Sequence, residues 1–169
     1  MHRAGYKILI ITVLMLTAAS CRVSFSFTGG NVHPDAKTVS VQFIRNNAPL
    51  VIPTLSQQLT DAIKDKFTGQ TRLSLVNSGG DLNIAGEIVN YTTTPLGIQA
   101  NETAAQNRLT ITVNIRFANK LDETQNFETT FSRYADYPSS KPLSEMDDVI
   151  KQVNEYLVED IFNKAVVNW

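Results

Sequence analysis

The 169-residue chain has one cysteine, two histidines, no excess of either charge (15 Lys and Arg against 16 Asp and Glu) and only short apolar runs. One cysteine excludes a disulfide framework and any thiolate metal cluster. Balanced charge excludes the basic stripe with which a nucleic-acid binder meets phosphates. The apolar stretch Ile8 to Leu16 is nine residues long and contains one Thr. It falls well short of the roughly 20 residues that cross a bilayer. What remains is a composition 43% hydrophobic, ordinary for a globular domain, at a length that suits a single core. No repeat and no second domain is visible.

The first twenty residues differ from the rest. Arg3 and Lys7 precede the apolar stretch, and Thr17-Ala18-Ala19-Ser20 follow it, with no acid among them. A basic start, a short apolar segment and small residues make a secretory leader; the competing reading, a membrane anchor, needs about twice the apolar length. The small residues run into the only cysteine. Ala18-Ala19-Ser20-Cys21 matches a bacterial lipobox, with Ala where Leu is commoner. Cleavage before Cys21 would leave its thiol to carry a diacylglyceryl group and its amine a further acyl chain such as palmitate. Two or more chains anchor stably where one does so marginally. The expected mature chain has 149 residues, with 13 basic against 16 acidic groups. Arg22 stands where an Asp would retain a lipoprotein at the inner membrane, and Val23 to Asn31 lack the acidic cluster of a surface-export signal. An outer-membrane, periplasm-facing protein is expected. Residues 21–37, rich in Ser and Gly, read as a lipidated tether, and 38–169 as the domain.

Within the domain, Val39, Val41 and Phe43 alternate with polar residues, which predicts a half-buried strand of about seven residues. Thr54 and Gln57 have capping-box spacing, and Leu55, Leu59, Ala62, Ile63 and Phe67 recur at helical spacing up to Gly69, the expected left-handed cap. Leu73 and Leu75 start a second strand, so a parallel pair is expected across the helix. The turn Asn77 to Asp81 leads to Leu82, Ile84, Gly86 and Ile88, where the inward Gly86 implies a close approach or a bulge. Leu109, Ile111, Val113, Ile115 and Phe117 form the clearest apolar face, and Phe127, Thr129 and Phe131 the antiparallel return. Ser144 is the expected cap of a last helix whose stripe runs from Met146 to Ala165. The fold class is α+β: two amphipathic helices packed on one face of a four- to five-stranded mixed β-sheet.

Signals for catalysis are poor. His33, the one histidine outside the leader, sits beside Pro34 in the tether, a poor place for a general base. Glu145, Asp147 and Asp148 suit the positive end of a helix dipole better than a metal. Gly79-Gly80 lacks the Lys and Ser/Thr of a phosphate loop. No catalytic residue, cofactor or metal is expected. Thr92 to Asn107 is long for a hairpin loop, whose usual length is about 2–5 residues, so it either extends the flanking strands or binds something. Arg108, Arg116, Lys120 and Arg133, on or beside the strands that follow, are candidate contacts for the phosphates of an acidic glycolipid, or else solvated surface charges.

Several segments together resemble a known family. Besides Cys21 they are Thr38-Val39-Ser40-Val41-Gln42, Ala48-Pro49-Leu50, Asn101-Glu102-Thr103-Ala104-Ala105, Asn107 to Val113, Arg133-Tyr134-Ala135-Asp136 and the ending Asp160 to Trp169. They look like the LptE family of lipopolysaccharide-assembly lipoproteins in its Bacteroidetes branch. The resemblance spans essentially the whole mature chain. It implies no enzymatic activity: such proteins plug the lumen of the outer-membrane β-barrel LptD, help it fold and assist passage of lipopolysaccharide. It also implies the membrane, through the N-terminal lipid, as a partner. The four cations are named from their position on the strands and not from the resemblance. Two other readings stay open: a free periplasmic carrier or chaperone for a glycolipid or peptide, and a cell-envelope hydrolase.

Overall fold

A computed structural model describes residues 32–49, 52, 54–97, 105–142 and 145–166. The leader, Cys21, most of the tether, Leu50, residues 101–104, Ser144 and the last three residues lie outside them. The elements are β1 (Thr38–Val41), β2 (Arg45–Asn46), α1 (Leu55–Gln70), β3 (Ser74–Val76), β4 (Leu82–Leu96), β5 (Gln106–Asn119), a 3-10 turn (Glu123–Gln125), β6 (Phe127–Pro138) and α2 (Asp147–Val166). Five strands run in the order β3-β1-β4-β5-β6, and β2 joins the edge of β4 beyond β1. β1 pairs parallel with both β3 and β4, while β4, β5 and β6 are antiparallel. The mixed sheet and the parallel pair across α1 are as the sequence implies.

β5 is the centre of the core. Leu109, Ile111, Val113 and Ile115 are wholly buried, and Phe117 nearly so. Both helices lie on that face, joined to each other where the Phe67 and Phe162 rings meet edge to face at 5.1 Å. Helix α1 begins without the expected cap, since the Thr54 side chain makes no capping bond, and the Gln57 amide donates to Asp61 instead. A cap contributes about 1 kcal/mol. Burying Leu55, Leu59, Ile63 and Phe67 contributes about 1.5–3 kcal/mol each, so packing rather than capping sets this helix. At the other end Gly69 stays inside the helix, which runs to Gln70, and its φ is not positive. The Thr71 hydroxyl closes the last turn by donating to the Phe67 carbonyl.

The first strand departs from its simple alternation. Three residues lie between Val41 and Arg45, while two lie between their partners Ile84 and Glu87 on β4. The extra residue is a bulge, and it reverses which side chains face inward. Ile44 is therefore fully buried and Phe43 is 54% exposed, so the apolar face does not continue through Phe43. The buried Ile44 N–H donates to the Thr60 hydroxyl of α1 at 3.0 Å, and that hydroxyl donates to the Ser56 carbonyl at 2.6 Å. A second bulge lies between Ile88 and Asn90 on β4 and brings Tyr91 into the core.

Gly86 marks a close approach. A Cβ there would lie 2.4 Å from the Asn114 carbonyl oxygen, inside any tolerable contact. Gly79 takes φ +69° in the turn before β4, where a glycine costs least. Beyond that turn Asp81 ties two strand starts together: its carboxylate accepts from the Lys37 and Thr38 amides, each at 2.9 Å, and from the Thr38 hydroxyl at 2.8 Å. These bonds to its charged form hold the Asp81 carboxyl below the usual carboxylate range.

Candidate functional site: the open face of the sheet

Residue parity sorts the sheet into a covered and an open face. On β5 the open face carries Arg108, Thr110, Thr112, Asn114 and Arg116, each next to a core residue. Across the pair from them stand Asp136, Tyr134, Ser132, Thr130 and Glu128 of β6. On the other side Thr94, Thr92 and Asn90 of β4 face Arg108, Thr110 and Thr112. Within the polar connection Thr92 to Asn107, pairing continues to Leu96 and Gln106, so both flanking strands run on into it, and residues 98–104 lie outside the described residues.

The open face is laced by cross-strand bonds. Arg108 grips Asp136 with two of its nitrogens, at 2.7 and 2.9 Å, with its guanidinium 3.7 Å from the centre of the Tyr134 ring. Thr112 and Ser132 share a hydroxyl bond of 2.9 Å. Glu128 accepts from Arg116 and from Asn114, both at 3.1 Å. The Arg108 bond holds the Asp136 carboxyl below its ordinary range, and Arg116, then Asn114, does the same to Glu128. Exposed pairs of this kind contribute little stability, about 0–1 kcal/mol. Their larger effect is that each cation already has its counter-charge.

The four cations named from the sequence do not converge. Arg108 and Arg116 share the open face but are eight residues apart on one strand, about 27 Å at the usual strand rise. Lys120 lies past the far end of β5, where it donates to the Gly79 carbonyl at 2.7 Å. Arg133 is on the opposite, helix-covered face, opposite Ile111, and holds Asp160 of α2 through two bonds of 2.5 and 2.7 Å. Those bonds raise the Arg133 pKa above its ordinary value. The parity of β6 carries that signal in the sequence, since Arg133 continues the series Phe127, Thr129, Phe131.

The remaining candidates are local. His33 Nδ1 accepts from the Asp35 amide at 3.3 Å, a turn contact. Asp148 is bridged by Lys141 at 3.0 Å, and among the described residues no three His, Cys, Asp or Glu gather as a metal site. Among the described residues no helix is long and apolar enough to cross a membrane. Acids flanking the two helix stripes are the group that sequence reasoning passed over. Their signal is spacing: Asp61 and Asp65, like Glu155 and Glu159, stand one turn apart.

A search of curated proteins finds no match. Among solved structures the chain is similar to a hypothetical protein from Chlamydia trachomatis, at 9% identity over 79% of this chain and 99% of that one, with a TM-score of 0.56. It is also similar to rare lipoprotein B from Shewanella oneidensis, at 13% identity over 74% and 90%, TM-score 0.51. A third likeness is to PelC from Paraburkholderia phytofirmans, a dodecamer, at 9% over 82% and 95%, TM-score 0.50. At such identities these likenesses show the fold alone. The family model described as LptE, lipopolysaccharide-assembly, matches residues 36–165. That match takes in the whole sheet and nearly all of both helices, and the chain belongs to the LptE family, the non-enzymatic envelope lipoproteins of lipopolysaccharide assembly.

Proposed function

We propose that this protein is held at the outer membrane by lipid on Cys21, faces the periplasm, and plugs the lumen of an LptD-type barrel through which lipopolysaccharide reaches the outer leaflet. Residues 1–20 then serve as the leader, 21–37 as the tether and 38–169 as the plug. The observation that carries the reading is the open sheet face. From Thr94 and Arg108 to Asp136 it is built of hydroxyls, amides and locally neutralised charges, with Tyr134 and, beside Arg116, Phe43 as exposed aromatics. A barrel lumen is polar, and such a face can exchange its water for hydrogen bonds to a polar wall at little cost. The lipid tether raises the local concentration of the plug.

Arg108, Arg116, Lys120 and Arg133 remain the proposed contacts for lipopolysaccharide phosphates, with Arg108 and Arg116 as the two on one face. A phosphate reaching either must compete with the carboxylate already bound there. That competition makes the barrel the main partner and the glycolipid a passing cargo. A free carrier would need an enclosed apolar pocket. Two depressions on the described surface open to solvent, and the one beside Phe43 is lined by Arg45, Asn47, Glu87 and Arg116. The test is affinity purification of the membrane-extracted protein. Recovery with a large outer-membrane barrel is expected, and a protein that runs alone in detergent refutes the reading.

A further inference from the structure

The helix layer has a surface quite different from the open face. A groove of about 770 Å³ opens to solvent between α1 and α2. The helices meet at one end of it, where Phe67 packs on Phe162 and Lys66 bonds Glu159. Ala62 and Val158 belong to its wall, and its rim carries Asp61, Asp65, Asp147, Asp148, Glu155 and Glu159. Lys66 and Lys151 are the cations on that rim. Just outside, Lys64 reaches Asp61 at 3.2 Å and Lys141 reaches Asp148 at 3.0 Å. Six acids against four cations leave the groove negative after every neighbouring lysine is counted.

A second observation stands apart from the charge. Asn154, on the groove wall, is only 3% exposed, and its Oδ1 has no hydrogen-bond partner. Gln58 Oε1, from the facing helix, is also buried and without a partner, although the residue as a whole is half-buried. Buried carbonyl oxygens are nearly always satisfied, and two orphans on one groove mark a place where donors are to be supplied from outside.

We propose that this groove is a docking site for a basic amphipathic helix of a protein partner, whose Lys or Arg side chains pair with the rim while its apolar side chains cover Ala62 and Val158. The spacing of the acids argues for a segment rather than a point charge. They do not gather as a metal site, and from Asp147 to Glu159 they extend about 18 Å along the helix axis. That is the reach of a helix laid in a groove, with cations one turn apart. An anionic glycolipid or membrane surface is repelled by the same rim. The inference uses the helix layer alone and does not depend on what meets the open face.

The test uses the full chain in detergent and two fluorescent probes, an 18-residue Leu/Lys amphipathic helix and its Leu/Glu counterpart. Fluorescence anisotropy should show that the Leu/Lys peptide binds and the Leu/Glu peptide does not, with affinity falling as salt rises. Combining Asp61→Asn, Asp65→Asn and Glu155→Gln should weaken binding about tenfold, a loss of about 1.4 kcal/mol, while Glu123→Gln on the 3-10 turn leaves it unchanged. Asn154→Leu should weaken binding several-fold without lowering the melting temperature, because it removes an unsatisfied oxygen from the free protein. Equal binding of both peptides, or an unchanged affinity in the triple variant, overturns the proposal. So does a wild-type dimer that the triple variant dissociates, since the groove would then belong to a second copy of this chain.

Discussion

Replacing Thr60 by Val tests how the first bulge is held. The two side chains are close in shape, so the change removes a hydroxyl and little volume. Thr60 is 1% exposed and Ile44 wholly buried, so water cannot take over the 3.0 Å bond from the Ile44 N–H. A buried donor left without a partner costs about 1–3 kcal/mol. The lost bond to the Ser56 carbonyl matters less, because that carbonyl lies in a helix and has a backbone donor of its own. Thr68 isolates the difference. Its hydroxyl also donates to a carbonyl one turn back, that of Lys64, but at an exposed site, and it accepts nothing from a bulge.

Thr60→Val is expected to lower stability by about 1–3 kcal/mol, and Thr68→Val to stay within about 0.5 kcal/mol of wild type. For a chain of this size that difference is a fall in Tm of about 3–10 °C. Urea unfolding followed by far-ultraviolet circular dichroism gives both values, and an unchanged m-value confirms that the native state is being compared. If the two variants unfold at the same urea concentration, the hydroxyl does not hold the bulge, and the burial of Ile44 in place of Phe43 needs another cause.

Gly86→Ala, which forces a Cβ to 2.4 Å from a backbone oxygen, should cost at least about 2 kcal/mol, whereas Gly69→Ala, with open space around it in a helix, should gain about 0.5–1 kcal/mol; thermal unfolding ranks the pair. Phe67→Ala should cost about 3–5 kcal/mol, because the ring is fully buried and carries the contact between helices. Asp81 has a folded pKa below its unfolded value, so its contribution is present above the unfolded pKa and is lost as pH falls through the folded one. Unfolding midpoints measured from pH 6 down to about pH 3 should therefore fall less steeply in Asp81→Asn than in wild type, and parallel curves would refute the assignment.

How much of this was legible in the sequence follows from what period-two and period-3.6 patterns can carry. β5 was plain because five apolar residues alternate over an unbroken stretch and the register with β6 has no shift. Both helices were plain from their stripes, although capping residues misled at Thr54 and Gly69, where packing and a Thr71 hydroxyl do the work instead. The bulges were not legible. An extra residue leaves local composition unchanged and reverses parity only after it, so Val39-Val41-Phe43 looks continuous until the partner strand shows where the count slips. The placement of the four cations was not legible for a related reason. Nearness in sequence does not bring them together: eight residues along a strand separate Arg108 from Arg116, and odd parity places Arg133 on the α2 side of the sheet.

The disposition of charge distinguishes the two layers more sharply than their totals do. On the sheet, cations and acids are matched one to one across a strand pair, Arg108 with Asp136 and Arg116 with Glu128, so the face is polar but carries almost no net field beyond the screening length. On the helices, acids outnumber nearby lysines and flank a groove with two unsatisfied carbonyls. A locally neutral face contributes little long-range attraction and depends on close hydrogen-bond matching, whereas an uncompensated rim acts at a distance and raises encounter rates with an opposite charge. Partners should therefore differ in salt response. Binding at the groove should weaken as ionic strength rises, and binding at the sheet face should change little. Measuring the barrel association and the Leu/Lys peptide association across one salt series separates the two surfaces; equal salt slopes would mean that one surface serves both.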